Sequence, residues 1–126
     1  MKYFTIAEAE SLIGELEKIF SAIREIAPKA EAKMHLIQDM ESRETSDAAQ
    51  LAIERAQLEF LVGGMNAWFQ KILDLGAMPK GINPALVDFP FRLEGKEVYL
   101  CWQVGDKKIT HYHGLQEGFT GRKKLP

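Results

Sequence analysis

Residues 98–122 read VYLCWQVGDKKITHYHGLQEGFTGR. Residues 97–104 alternate apolar and polar side chains, the period of a strand with one buried face. Gly105-Asp106 suits a two-residue hairpin turn with glycine first, and residues 107–113 read as the returning strand. With that turn Val104 pairs with Lys107. Val98, Leu100, Trp102 and Val104 then share a face with Ile109, His111 and His113, while Tyr99, Cys101 and Gln103 share the other with Lys108, Thr110 and Tyr112. The first face is the more apolar and is expected to pack on the rest of the chain. Cys101 is expected to point away from both histidines. A three-residue loop would change the parity and put Cys101 opposite His111.

Upstream, residues 86–92 (LVDFPFR) read as a further strand, and Glu94-Gly95 fits a two-residue turn into the hairpin. Pro90 cannot donate to a ladder, which places this strand at a sheet edge or at a bulge. The preceding segment, with Pro79 and Pro84, is expected to be loop. The result is a small antiparallel meander over residues 77–126.

Residues 1–76 have the other period. Thr5 followed by Glu8 is a capping box, in which the hydroxyl and the carboxylate each satisfy a free N–H of a helix start. Ile6, Ala9, Ile13, Leu16, Phe20, Ile23, Ala27, Ala30, Met34 and Ile37 recur at intervals of three and four, a heptad seam. Pro28 interrupts it in phase, so a kink rather than a stop is expected. A helix over residues 6–41 is roughly 54 Å long. Residues 42–47 are polar and form the turn. A second helix runs to Leu75 on the seam Leu51, Glu54, Leu58, Leu61, Met65, Trp68, Ile72 and Leu75, and Gly76 suits its left-handed end. Gly63-Gly64 within it points to a close helix approach or a kink. The fold class is therefore α+β: a long antiparallel, coiled-coil-like two-helix hairpin followed by a small C-terminal antiparallel sheet, in one domain, 1–126. Leu12, Ile19, Ile26, Val62 and Phe69 widen the apolar stripes beyond one seam. The sheet, a second copy of the chain, or both must cover them, and a homodimer through the helices is expected.

Composition narrows the class. Apolar residues make up 46% and charged residues 27%, as in ordinary soluble globular proteins. The net charge is −2, unevenly spread: residues 1–76 carry 8 Lys/Arg against 13 Asp/Glu, and residues 77–126 carry 8 against 5. No basic stripe interleaves with aromatics, which argues against nucleic acid. The most apolar window, residues 60–69, is too short to span a bilayer. A single cysteine calls for no oxidising compartment, and the acidic start does not read as a signal peptide. A cytoplasmic location is expected.

Chemistry-bearing residues gather in the C-terminal half. His111-x-His113 with Glu117 four residues on is two imidazoles and a carboxylate, a set that can hold a divalent metal with open positions, although the sequence requires no cofactor. Asp88 is a carboxylate in an apolar strand, at a solvent face or paired with a cation such as Arg122. Cys101 as a nucleophile needs an adjacent base, which the expected turn denies it. Residues 118–122 (GFTGR) can form a backbone nest for an anion or, more simply, a glycine turn that folds the tail back with Phe119 as its anchor. No GxSxG, phosphate-binding loop, dinucleotide fingerprint, HExxH or CxxC pair occurs.

Phe4-Thr5 with the acidic helix after it, Leu86 to Pro90, Gly95 with Val98 to Trp102, Gly105, His113, Glu117-Gly118-Phe119 and Gly121-Arg122 together resemble a bacterial family, the domain of unknown function 2203 family. The likeness spans nearly the whole chain. It implies a helical hairpin with a small C-terminal sheet and supplies no activity. His113 belongs to the family pattern and His111 does not. This shifts weight from a His111–His113 metal pair to His113 with Asp88, Glu117 and Arg122, and the candidate site is placed around these four and Trp102. Two functions are consistent with these observations. The leading one is a self-associating, non-enzymatic helical-hairpin interaction module. The other is a small ligand- or metal-binding protein or enzyme, its small molecule unspecified, with its site on the sheet around His113.

Overall fold

The computed structural model describes residues 2–43 and 47–126. Helix α1 (Ile6–Ser11) starts at Thr5, whose Oγ1 accepts from Glu8 N at 3.0 Å while Glu8 Oε1 accepts from Thr5 N at 3.0 Å. The capping box is formed as read. One residue, Leu12, separates α1 from α2 (Ile13–Glu41), which runs through Pro28 without stopping. The expected turn at 42–47 falls partly on residues 44–46, outside the described residues. Asp47 caps α3 (Ala48–Asp74), accepting from Ala49 N and Gln50 N. At its far end Gly76 takes φ +92°, Gly76 N donates to Leu73 O, and Ala77 N donates to Ile72 O. This is a Schellman termination. Arg55 meets Glu41, Lys33 meets Glu54, and Ile26 lies 3.7 Å from where a side chain on Gly64 would begin, so α2 and α3 run antiparallel. That last spacing is ordinary contact, and Gly63 faces open space, so a close helix approach does not require either glycine.

Five strands follow in a meander, β1 (Met78–Ile82), β2 (Ala85–Leu93), β3 (Lys96–Gln103), β4 (His111–Gly114) and β5 (Lys123–Lys124), antiparallel and in chain order across the sheet. The segment read as loop before β2 is thus a strand. As an edge strand, β1 tolerates Pro79, and its register shifts between Pro79 and Gly81. At Gly81 a Cβ would sit 2.9 Å from Pro84 O, a close backbone approach that only glycine permits. β1 pairs only as far as Asp88, which leaves β2 unpaired on that side at Pro90. Pro90 therefore occupies a local edge, and its carbonyl accepts Phe4 N at 2.9 Å. Glu94-Gly95 forms the two-residue turn as read, with both residues at positive φ.

The second hairpin differs from expectation. β3 ends at Gln103 and β4 starts only at His111. The tight turn closes through Asp106 N→Gln103 O, with Gly105 at φ +97°. The chain then crosses the helices before rejoining the sheet. Glu17 Oε1 accepts Gly105 N at 3.1 Å, Glu10 Oε2 accepts Ile109 N at 2.8 Å, and the Ile109 side chain enters the core. These anchors lengthen the connection and change its parity: Cys101 pairs with His111 and Tyr99 with His113. Cys101 therefore shares a face with both histidines, and the expectation that it points away from them is overturned.

One core joins helices and sheet. Leu16, Ile19, Phe20 and Ile23 of α2 meet Val87 and Phe89 of β2 and Leu100 and Trp102 of β3, with Phe4, Ile72 and Ile109 around them. Leu12 and Phe69 pack against the same cluster, so the core itself covers part of the wide apolar stripe. The sheet's other face carries Asp88, Tyr99, Cys101, His111 and His113. It is covered by the segment after β4, which folds back to lay β5 on β4. Among the described residues no helix is long and apolar enough to cross a membrane.

Candidate functional site

The site on that outer face is a consequence of register. Asp88 lies directly across from Cys101, and His113 directly across from Tyr99, one pleat further along β3. His113 Nε2 lies 3.0 Å from Asp88 Oδ2, with both side chains almost wholly buried. On the other side of the ring, His113 Nδ1 donates to Gly114 O at 2.9 Å. Tyr99 packs on the imidazole with ring centres 5.6 Å apart, and Lys80 Nζ lies over the Tyr99 ring. A cavity of about 300 Å³ opens beside the pair, lined by Lys80, Tyr99, Cys101, Leu115, Glu117 and Gly118 among others.

Burial dominates the electrostatics. It pushes the Asp88 carboxyl above its ordinary range, against the hydrogen bond and charge of His113 and the more distant charge of Lys80. It also pushes the Cys101 thiol up. Asp88 adds to that shift, and the Arg122 guanidinium beside the sulfur opposes it. Arg122 stacks on Phe119 at 4.3 Å, and its Nη1 is buried without a hydrogen-bond partner. Donor atoms of Asp88, Cys101 and His113 all lie within 4.8 Å of one another.

Of the residues singled out in the sequence, Asp88, His113 and Glu117 line the cavity, and Arg122 stands next to Cys101. Trp102 does not reach it. It points to the inner face, packs against Phe20 with ring centres 6.1 Å apart, and donates Nε1–H to Asp106 O. His111 shares the outer face, but its Nδ1 contacts Thr110 Oγ1, and it lies outside the Asp88–Cys101–His113 cluster. Glu117 lies outside that cluster too. Its Oε1 accepts Gly114 N at 2.9 Å, and it approaches Gly114 and Gly121 so closely that a Cβ on either would meet it at about 3 Å. A Cβ at Gly121 would press on the Glu117 Cβ at 3.2 Å, so the tight return favours glycine there; at Gly114 it would meet only the movable carboxylate end, and Gly118 has open space around it. Among the lining residues that the sequence did not place here are Cys101, Lys80 and Tyr99. No local signal placed Cys101 here, because its face follows from the length of a connection that Glu17 and Glu10 hold from far away in the chain.

Fold and site together define an α+β protein: a helical hairpin backing a five-stranded meander, with a buried carboxylate–imidazole–thiol group on the meander's face away from the helices. The chain belongs to the family described as "Uncharacterized conserved protein (DUF2203)", whose model matches residues 2–125. Comparison with curated proteins and with solved structures finds no match to either.

Proposed function

We propose that this chain is a small cytoplasmic ligand-binding protein whose site is the cavity beside His113. The observation that carries this reading is the buried His113–Asp88 pair facing open space rather than packed side chains. A pair serving packing alone needs no adjoining cavity. Polar groups converging on a partly apolar pocket are the usual form of a small-molecule site. The buried, unpaired Cys101 agrees with a reducing compartment. Gly118 supplies the test. It lines the cavity, and nothing lies within 4 Å of a Cβ built there, so the fold should tolerate Gly118→Trp, whose indole is expected to narrow the cavity. Native mass spectrometry of untagged protein, purified without chelator, is expected to show a mass above the 14.3 kDa chain that Gly118→Trp loses. A bare-chain mass, together with no thermal shift from Zn²⁺, phosphate or small carboxylates, overturns the reading.

A second reading concerns the hairpin. Phe60 is 82% exposed and Ile53 49%, and both border an apolar groove with Lys29, Lys33 and Leu61. This supports self-association through the helices as a second property of the same protein.

A further inference from the structure

His113 is held in one tautomer. The Gly114 carbonyl oxygen can only accept, so Nδ1 carries the hydrogen of the 2.9 Å contact. In a neutral ring Nε2 is then a lone pair, and it faces Asp88 Oδ2 at 3.0 Å. Two lone pairs do not approach that closely without a cation between them, whether a proton or a metal ion. An outer N–H on a backbone carbonyl with the inner nitrogen free for a cation is how metal-bound histidines are oriented. Cys101 adds a third donor, and the three donor atoms lie within 4.8 Å of one another. Around a tetrahedral ion, donors at ~2.0–2.3 Å from the metal stand about 3.3–3.7 Å apart. Side-chain rotation covers that difference. All three residues are buried, and the cavity supplies a fourth direction.

We infer that Asp88, Cys101 and His113 form a zinc site whose fourth position opens into the cavity beside Tyr99 and Glu117. The inference rests on the reading of that cavity as a binding site and gives it a chemistry. Thiolate with imidazole selects Zn²⁺ or Co²⁺ over Mg²⁺ and Ca²⁺. As the ion enters, the Cys101 thiol proton and the proton between His113 and Asp88 leave to solvent. Thiolate and carboxylate then balance the two positive charges. The Arg122 guanidinium beside the sulfur leaves an excess positive charge, which favours an anionic oxygen ligand, such as hydroxide or a carboxylate, in the fourth position.

Cobalt substitution tests this directly. Cys101 is the only cysteine, so a thiolate-to-cobalt charge-transfer band in untagged, full-length protein can come only from it. We expect one Co²⁺ or Zn²⁺ per chain, with that band present and lost in Cys101→Ser. Asp88→Asn and His113→Gln should lower affinity at least ~10-fold, and His111→Ala should leave it unchanged. The wild-type spectrum carries the test even if a variant fails to fold. Protein that binds neither ion, or binds cobalt without a thiolate band, overturns the zinc site. So does binding that is lost in His111→Ala and Glu117→Gln but kept in Cys101→Ser. If no metal binds but phosphate or a carboxylate still raises the melting temperature of wild type and not of Gly118→Trp, the pocket reading stands and the zinc site alone fails.

Discussion

Removing the His113 imidazole leaves the Asp88 carboxylate buried with no partner in its place. Deleting one member of a buried charged or strongly hydrogen-bonded pair costs about 3 kcal/mol, most of it the desolvation of the group left behind. His113→Ala should therefore lower the urea midpoint by about that stability. Asp88→Asn should cost much less, because an amide N–H can donate to the Nε2 lone pair that the Gly114 contact enforces. Equal losses for the two substitutions would contradict the tautomer argued for His113. The same residues show what the sequence could reveal. Asp88 and His113 stood out as polar groups in apolar strands, and Glu117 and Arg122 as charges in a glycine-rich return. Cys101 did not, because its face depends on a loop length. That length is set by Glu17 and Glu10 gripping Gly105 and Ile109 from 88 and 99 positions away in the chain. No local pattern in residues 98–122 carries that information.

Among the elements, the helices were the most legible, since capping boxes, seam spacing and a terminal glycine are all local. β1 was not, since Pro79, Gly81 and Pro84 read as breakers, and only an edge position beside β2 makes a strand of them. Within the helical pair, Glu54 sits on the apolar seam of α3 and is only 8% exposed. Lys33 Nζ donates to its Oε2 at 2.5 Å and to Gln57 Oε1 at 2.8 Å, and Gln50 Nε2 donates to Glu54 Oε1 at 2.8 Å. A polar lock of this kind fixes the register of two helices that apolar contacts alone would allow to slide. Lys33 first, then Gln50, hold the Glu54 carboxyl below its ordinary value of 4.5. In the range between the folded and unfolded values the unfolded chain binds more protons, so stability falls as pH falls. The contribution is fully present above 4.5 and is lost as pH drops through the lowered folded value. Glu54→Gln should therefore melt below wild type at neutral pH, with the gap narrowing in acid. Melting curves against pH check this, and a gap that stays constant with pH would count against it.

At the scale of the whole molecule, the sheet covers only part of the hairpin. Ile19, Leu12 and Phe69, from the wide stripe that suggested an interface, are taken up by the sheet core. What remains lies further along α3, where Ile53 and Phe60, a heptad apart on one flank, are exposed, Val62 is exposed on the opposite flank, and, among the described residues, only Glu54 and Ile72 are buried. An apolar helix face left open in this way is where a second copy would pack, with Lys29 and Lys33 at its rim. Contact between identical surfaces about a two-fold axis is the commonest way a chain closes such a face. Sedimentation equilibrium at micromolar concentration is expected to give twice the 14.3 kDa chain mass. Phe60→Glu should return it to one chain while the helical circular dichroism stays unchanged, because Phe60 touches little within its own chain. Wild-type protein sedimenting as a monomer would remove the dimer. A dimer indifferent to Phe60→Glu would move the interface away from this groove.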